Sequence, residues 1–134
     1  MAESAAVTDT HALLFHASGG RRLGAVGRVL FADAEARRAL IYVPAAVVWE
    51  VTVLAHRGRV NLRRPAREFF GDLFSNPSYQ PHSLEVAQVL DAGELTLLHD
   101  PFDALICAAA LDLSLPLITR DEAIVGAKRV KTVW

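Results

Sequence analysis

The sequence predicts an α/β protein, a three-layer α/β/α sandwich around a central and mostly parallel sheet, in one domain spanning residues 1–134. Three observations carry that expectation. Short apolar runs at 5–8, 39–43 and 116–119 alternate with longer stretches of helical spacing. Such alternation implies right-handed crossovers between parallel strands, which need helices on both faces of the sheet. A length of 134 residues with 52% hydrophobic content suffices for one well-filled core.

Taken in order, residues 5–8 read as a buried strand that ends in the acidic Asp9. Asp9 opens a helix with Leu13, Leu14 and Phe15 on its apolar side, stopped by Ser18, Gly19 and Gly20. A second helix is expected over 23–38, with Val26, Val29, Leu30, Ala36 and Leu40 as its stripe, and 39–43 is the next strand. Pro44 ends that strand, and 45–56 carries Val47, Val48, Val51 and Leu54 at near-helical spacing. Gly58 is a stop, Pro65 suits the start of a helix over 66–74, and 79–81 is a short strand. Ser83 is a candidate cap for a helix over 83–90 with Leu84, Ala87 and Leu90 inward. Asp100 followed by Pro101 is an N-cap with proline at the first helical position, and 102–113 is apolar on nearly every side, as a buried helix would be. A strand at 116–119, a turn or short helix at 121–125 and a strand at 131–133 complete the chain.

The formal net charge of −1 excludes a strongly basic footprint, so charge alone does not call for nucleic acid. The cations are nonetheless clustered, with His56, Arg57, Arg59, Arg63, Arg64 and Arg67 in one short stretch. That patch suits phosphates, or simply a solvated helix end. No apolar run approaches the roughly 18 residues needed to cross a bilayer. Residues 1–7 have no basic group ahead of an apolar run, which argues against a secretory signal. A single cysteine, Cys107, fits a reducing compartment, and a cytoplasmic location is expected.

Ligands of open parallel sheets bind beyond the carboxyl ends of the strands. Asp9 and Asp121 both follow strands, and the helix opened by Asp100 starts at the same edge and brings Asp103 there. Glu50 joins from the helix after the second strand. Four carboxylates in one small volume repel one another and resist desolvation unless a cation compensates. Magnesium or manganese, which prefer oxygen ligands and retain waters, would relieve this and support phosphodiester hydrolysis. Each acid also has a plainer role: Asp9 and Asp121 as helix caps, Asp103 as a complement to the helix dipole, Glu50 as a surface residue. Thr119 is placed to orient Asp121, and Asp100 is read as a cap at the margin of the site. His11, His16 and His99 have no recurrent zinc spacing, and Cys107 reads as a small core residue.

Asp9-Thr10-His11, Glu50 within Val-Val-Trp-Glu-Val, the block His99-Asp100-Pro101-Phe102-Asp103-Ala104-Leu105-Ile106 and Leu117-Ile118-Thr119-Arg120-Asp121 occur in that order over almost the whole chain. Together they resemble a PIN domain of the VapC toxin type. The resemblance implies a magnesium- or manganese-dependent endoribonuclease, the toxin of a toxin–antitoxin pair, dimeric and inhibited by an antitoxin segment across its active-site groove. Asp9, Glu50, Asp103 and Asp121 match the acidic positions. Many relatives carry arginine where this chain has Ala104, so Arg120 or Arg57, Arg59, Arg63 and Arg64 are the candidate RNA-binding cations. Apolar surface around Val47 and Phe69-Phe70 is the expected dimer contact.

Three other readings compete. A receiver-type phosphorylation domain shares the sandwich and an acidic edge, but no aspartate follows a strand between Asp33 and Asp72, and no lysine ends a strand before a C-terminal helix. A non-catalytic binding module with a decayed site is disfavoured because all four acids are present. A metal nuclease acting on DNA differs only in how the sugar is read, which carboxylates do not decide.

Overall fold

A computed structural model describes residues 4–134, so the first residues of the segment read for a signal lie outside it. Five strands form one sheet in the order β3-β2-β1-β4-β5, every neighbouring pair parallel. They are β1 Ser4–Thr8, β2 Ala39–Pro44, β3 Tyr79–His82, β4 Leu117–Ile118 and β5 Thr132–Val133. The helices are α1 Thr10–Ala17, α2 Ala25–Glu35, α3 Ala45–His56, α4 Ala66–Ser75, α5 Val86–Gly93, α6 Pro101–Leu113 and α7 Glu122–Ala127. The sandwich and its parallel sheet are as the alternation predicts. Pro81 has no N–H for a ladder, and it lies in β3 at the sheet's edge.

The chain winds outward from β1 to β2 and β3, then crosses back to place β4 on the other side of β1. Ala6, Val7, Ile41, Val43, Leu117 and Ile118 are fully shielded from solvent or nearly so. Burying each larger aliphatic side chain contributes about 1.5–3 kcal/mol. α6 packs on β1, α3 and α5, and its buried Ala104, Ala108 and Ala110 let its backbone come close. Cys107 is buried among them, as expected.

Several expected faces differ. α2 begins at Ala25 and ends at Glu35, and it buries Gly27, Phe31 and Ala34, leaving Val26 and Val29 exposed. Gly27 is inward because the chain's far end lies against it: its N–H donates to the Trp134 carbonyl oxygen at 2.6 Å. A β-carbon at Gly24 would sit 2.5 Å from the Trp134 carbonyl carbon.

α5 starts at Val86 with Glu85 at its cap, and Ser83 gives its carbonyl, not its hydroxyl, to Gln88 Nε2 at 3.0 Å. Gln88 and Ala92 face inward, while Leu84 and Leu90 are exposed along with Ala87. The expected dimer contact is also corrected. Val47, Phe69 and Phe70 are buried within the protomer, Val47 in the core and the two rings edge to face at 5.0 Å. The exposed apolar side chains include Trp49, Val86, Leu90 and Leu97 instead. No helix among the described residues is long and apolar enough to cross a membrane.

Candidate active site

The strand order reverses between β1 and β4, and the two residues that emerge there are the ones the sequence singles out. Asp9 follows Thr8, and Asp121 stands three residues beyond Ile118. Both are helix caps as well as the acids that the sequence predicts for the site. Asp9 Oδ1 accepts from the Ala12 N–H at 2.8 Å, and Asp121 Oδ1 accepts from the Ile124 N–H at 3.0 Å. Capping holds one oxygen of each carboxylate on a backbone N–H and so restricts the rotamer. Asp100 caps α6, accepting from the N–H groups of Phe102 and Asp103 at 2.8 and 3.2 Å. Asp103 therefore stands in the first turn of a helix whose start is fixed by its neighbour's side chain.

Glu50 comes from α3, where it accepts a hydrogen bond from the Thr10 hydroxyl. Thr119 accepts from the Asp121 N–H at 3.1 Å, and its hydroxyl also supports the carboxylate of Asp9. It thus ties together the two strand ends flanking the switch point.

Electrostatics show how close the acids stand. Burial pushes Asp103 up to about 7, helped by Asp121, Asp100, Glu50 and Asp9. Burial also raises Asp9, with Asp121 adding to the effect while Thr119, the Ala12 N–H and His11 oppose it. Glu50 is raised by burial, then by Asp100 and Asp9, against Thr10 and His11. Asp103 thus feels the other three sequence-predicted acids, while Asp9 feels Asp121 and Glu50 feels Asp9. Among the described residues no three acidic, histidine or cysteine side chains form a ready-made cage for an ion. Beneath the acids, burial and then Asp103 push the Cys107 thiol up to about 12, so it offers no thiolate.

Beside this edge lies a cavity of about 760 Å³ between α1, the end of α3 and the segment that follows it. His11, Phe15, Arg22, Arg59 and Arg63 line it, over an apolar floor that includes Leu54 and Phe69. The predicted arginines are divided by the fold. Arg59 and Arg63 face the cavity. Arg64 pairs with Asp72 and lies 5.7 Å from the centre of the Phe69 ring. Arg57 is the exposed C-cap of α3. Arg120 stacks on Phe15 and Trp134, its guanidinium carbon 5.1 and 5.4 Å from their ring centres.

The model of the family described as "PIN domain" matches residues 6–130. The chain belongs to the PIN domain family. No curated protein matches the sequence. Solved structures similar to this PIN domain include VapBC2 from Rickettsia felis bound to a promoter DNA fragment, at 12% identity and a TM-score of 0.71, covering 97% of this chain and 98% of the other. A toxin–antitoxin complex from Klebsiella pneumoniae is 20% identical with a TM-score of 0.65, and FitAcB from Neisseria gonorrhoeae is 17% identical with a TM-score of 0.62, each covering 96% of both chains. At these identities the likeness is one of fold.

Sequence reasoning missed part of this PIN domain's edge. Thr10, which the sequence marks only as part of the first motif and the start of a helix, donates its hydroxyl to Glu50. Arg22, Phe15 and Trp134 gave no readable signal, since only folding brings residues 15, 22, 120 and 134 together.

Proposed function

We propose that this PIN domain is a magnesium- or manganese-dependent endoribonuclease of the VapC toxin type. The observation that carries this reading is that Asp103, in the first turn of α6, feels the charges of Asp9, Glu50 and Asp121, of which Asp9 and Asp121 flank the strand-order reversal. The donor set is all carboxylate oxygen, which fits a hard divalent cation that keeps much of its water and does not need a closed protein cage. Asp9, Glu50, Asp103 and Asp121 would hold it. When bound, such an ion supplies charge neutralisation at the phosphate and lowers the pKa of a coordinated water.

The chain's own contribution is positioning. Asp9 and Asp121 are locked by their caps and by Thr119, and Glu50 is oriented by Thr10. Asp103, which titrates at about 7 without a counter-ion, can hold a proton near neutrality or release it to a cation. His11 stands beside Asp9 and Glu50 and moderates their repulsion. The toxin–antitoxin complexes of similar fold support an antitoxin protein as the inhibitor, and the proposal includes the cytoplasmic dimer that the VapC resemblance implies.

The test is cleavage of a mixed cellular RNA pool and of matched single-stranded DNA, with magnesium, manganese or EDTA, by the parent and Asp9→Asn. Metal-dependent cutting of RNA, absent in the variant, is expected. Equal cutting by both proteins, or cutting of DNA in preference to RNA, would overturn the reading.

A further inference from the structure

The ring of Phe15 is a hub. Arg22 lies over it at 4.8 Å and Arg120 at 5.1 Å, the Trp134 ring meets it edge to face at 6.1 Å, and the His11 ring lies 6.2 Å away. Phe15 itself is only 9% exposed, whereas both guanidiniums reach the surface. Three other arginines are engaged: Arg28 donates to the carbonyls of Leu23 and Arg21, Arg38 pairs with Asp33, and Arg64 with Asp72, while the rest, Arg59 and Arg63 at the cavity included, have no ion pair or side-chain hydrogen bond among the described residues. Among the described residues, Arg22 and Arg120 have neither an ion pair nor a side-chain hydrogen bond. They are held by their flat faces on an aromatic ring. Stacking of this kind leaves the N–H edge of each guanidinium free for an oxygen anion.

The cradle is fixed in space. Trp134 is held against α2 by the hydrogen bond from Gly27 and by the close approach at Gly24, and Arg120 is the chain neighbour of Asp121. A polyanionic strand approaching four carboxylates is repelled by them, and Ala104 offers no cation beside Asp103.

We propose that Arg22 and Arg120, both stacked on Phe15, bind backbone phosphates of the RNA strand flanking the scissile one, Arg22 from the lining of the cavity that it shares with Arg59 and Arg63. This rests on the ribonuclease reading for its substrate. Its contacts are to phosphate, so they position the strand without selecting its sequence.

The test is fluorescence anisotropy of a short, labelled, mixed-sequence single-stranded RNA across a KCl series, in an Asp103→Asn background that prevents cutting. Arg22→Gln and Arg120→Gln should each reduce the slope of log affinity against log salt by about 0.7, which is roughly fivefold in affinity per tenfold change in salt. Arg120→Lys should keep the slope, because charge remains while stacking is lost. Arg129→Gln, on the exposed loop before β5, should match the background. A double Arg22→Gln/Arg120→Gln protein with the slope of its background overturns the cradle while leaving the nuclease intact, and is the outcome expected if an acidic protein segment is the real occupant. RNA binding that depends on both arginines, with no cutting by the wild-type chain, supports the cradle and sinks the nuclease reading. A background protein that binds no RNA at any salt overturns the cradle as well.

Discussion

The hydroxyl of Thr119 accepts a hydrogen bond from the backbone N–H of Asp121 at 3.1 Å and supports the carboxylate of Asp9 from the other side. One buried side chain therefore fixes the spacing of two acids that belong to different strands. Removing the hydroxyl would leave the Asp121 N–H without its partner and Asp9 with only the Ala12 N–H as donor. Thr119→Val should destabilise the fold by about 1–3 kcal/mol and lower RNA cleavage, whereas Thr119→Ser should restore both. Urea denaturation alongside cleavage rates would check this, and a Val variant with unchanged stability and activity would refute it.

The double duty of Asp9 and Asp121 can be separated chemically. Asparagine caps a helix as well as aspartate does, so Asp9→Asn and Asp121→Asn should retain stability while losing activity. Asp9→Ala and Asp121→Ala should lose both, with a stability cost of about 1 kcal/mol relative to the Asn variants. Comparison of the four thermal melts decides it; equal melting of the Asn and Ala variants would show that capping contributes nothing.

Asp103 titrates at about 7 in the folded protein, against 3.8 for an ordinary aspartate. Between those values the folded chain retains a proton that the unfolded chain has lost. Stability in EDTA should therefore fall as pH rises from 3.8 toward about 7, and flatten above that. Asp103→Asn should remove this part of the slope. Added manganese at neutral pH should raise the melting temperature of the wild type more than that of the variant, the outcome expected of a cation that binds the proposed, ionised site in the folded state. A pH profile in EDTA that is the same for both proteins would contradict the assignment.

Gly24 is required for space, not for unusual backbone geometry, since its φ of −72° is open to any residue. A β-carbon there would sit 2.6 Å from the Trp134 side chain and 2.5 Å from its carbonyl carbon. Gly24→Ala should cost about 1–3 kcal/mol and displace the indole from Arg120. In a Trp49→Phe background, Trp134 is the sole tryptophan, and its emission should shift red on the Ala substitution. An unshifted spectrum with full stability would show that the C-terminal segment accommodates the methyl group.

The sequence by itself determined the order of elements and the local chemistry of their ends. Asp9 after an apolar run, Asp100 before Pro101, and Thr119-Arg120-Asp121 after a strand are short-range patterns, and caps and strand ends are decided by residues within a few positions. The acids were legible for that reason: topology carries any residue that follows a parallel strand to one edge of the sheet. Which face of a helix turns inward was not legible where apolar residues surround it. In α5 the valines and Leu90 face out, while Gln88 turns inward and satisfies its amide on the Ser83 carbonyl. In α2 the inward face is set by Gly27, whose missing side chain makes room for Trp134. Tertiary structure also decided that Val47, Phe69 and Phe70 are core and that Arg64 is paired with Asp72. Arg22 and Arg120 share the ring of Phe15 for the same reason. Burial and pairing depend on which surfaces meet after folding, a quantity that periodicity along the chain does not encode.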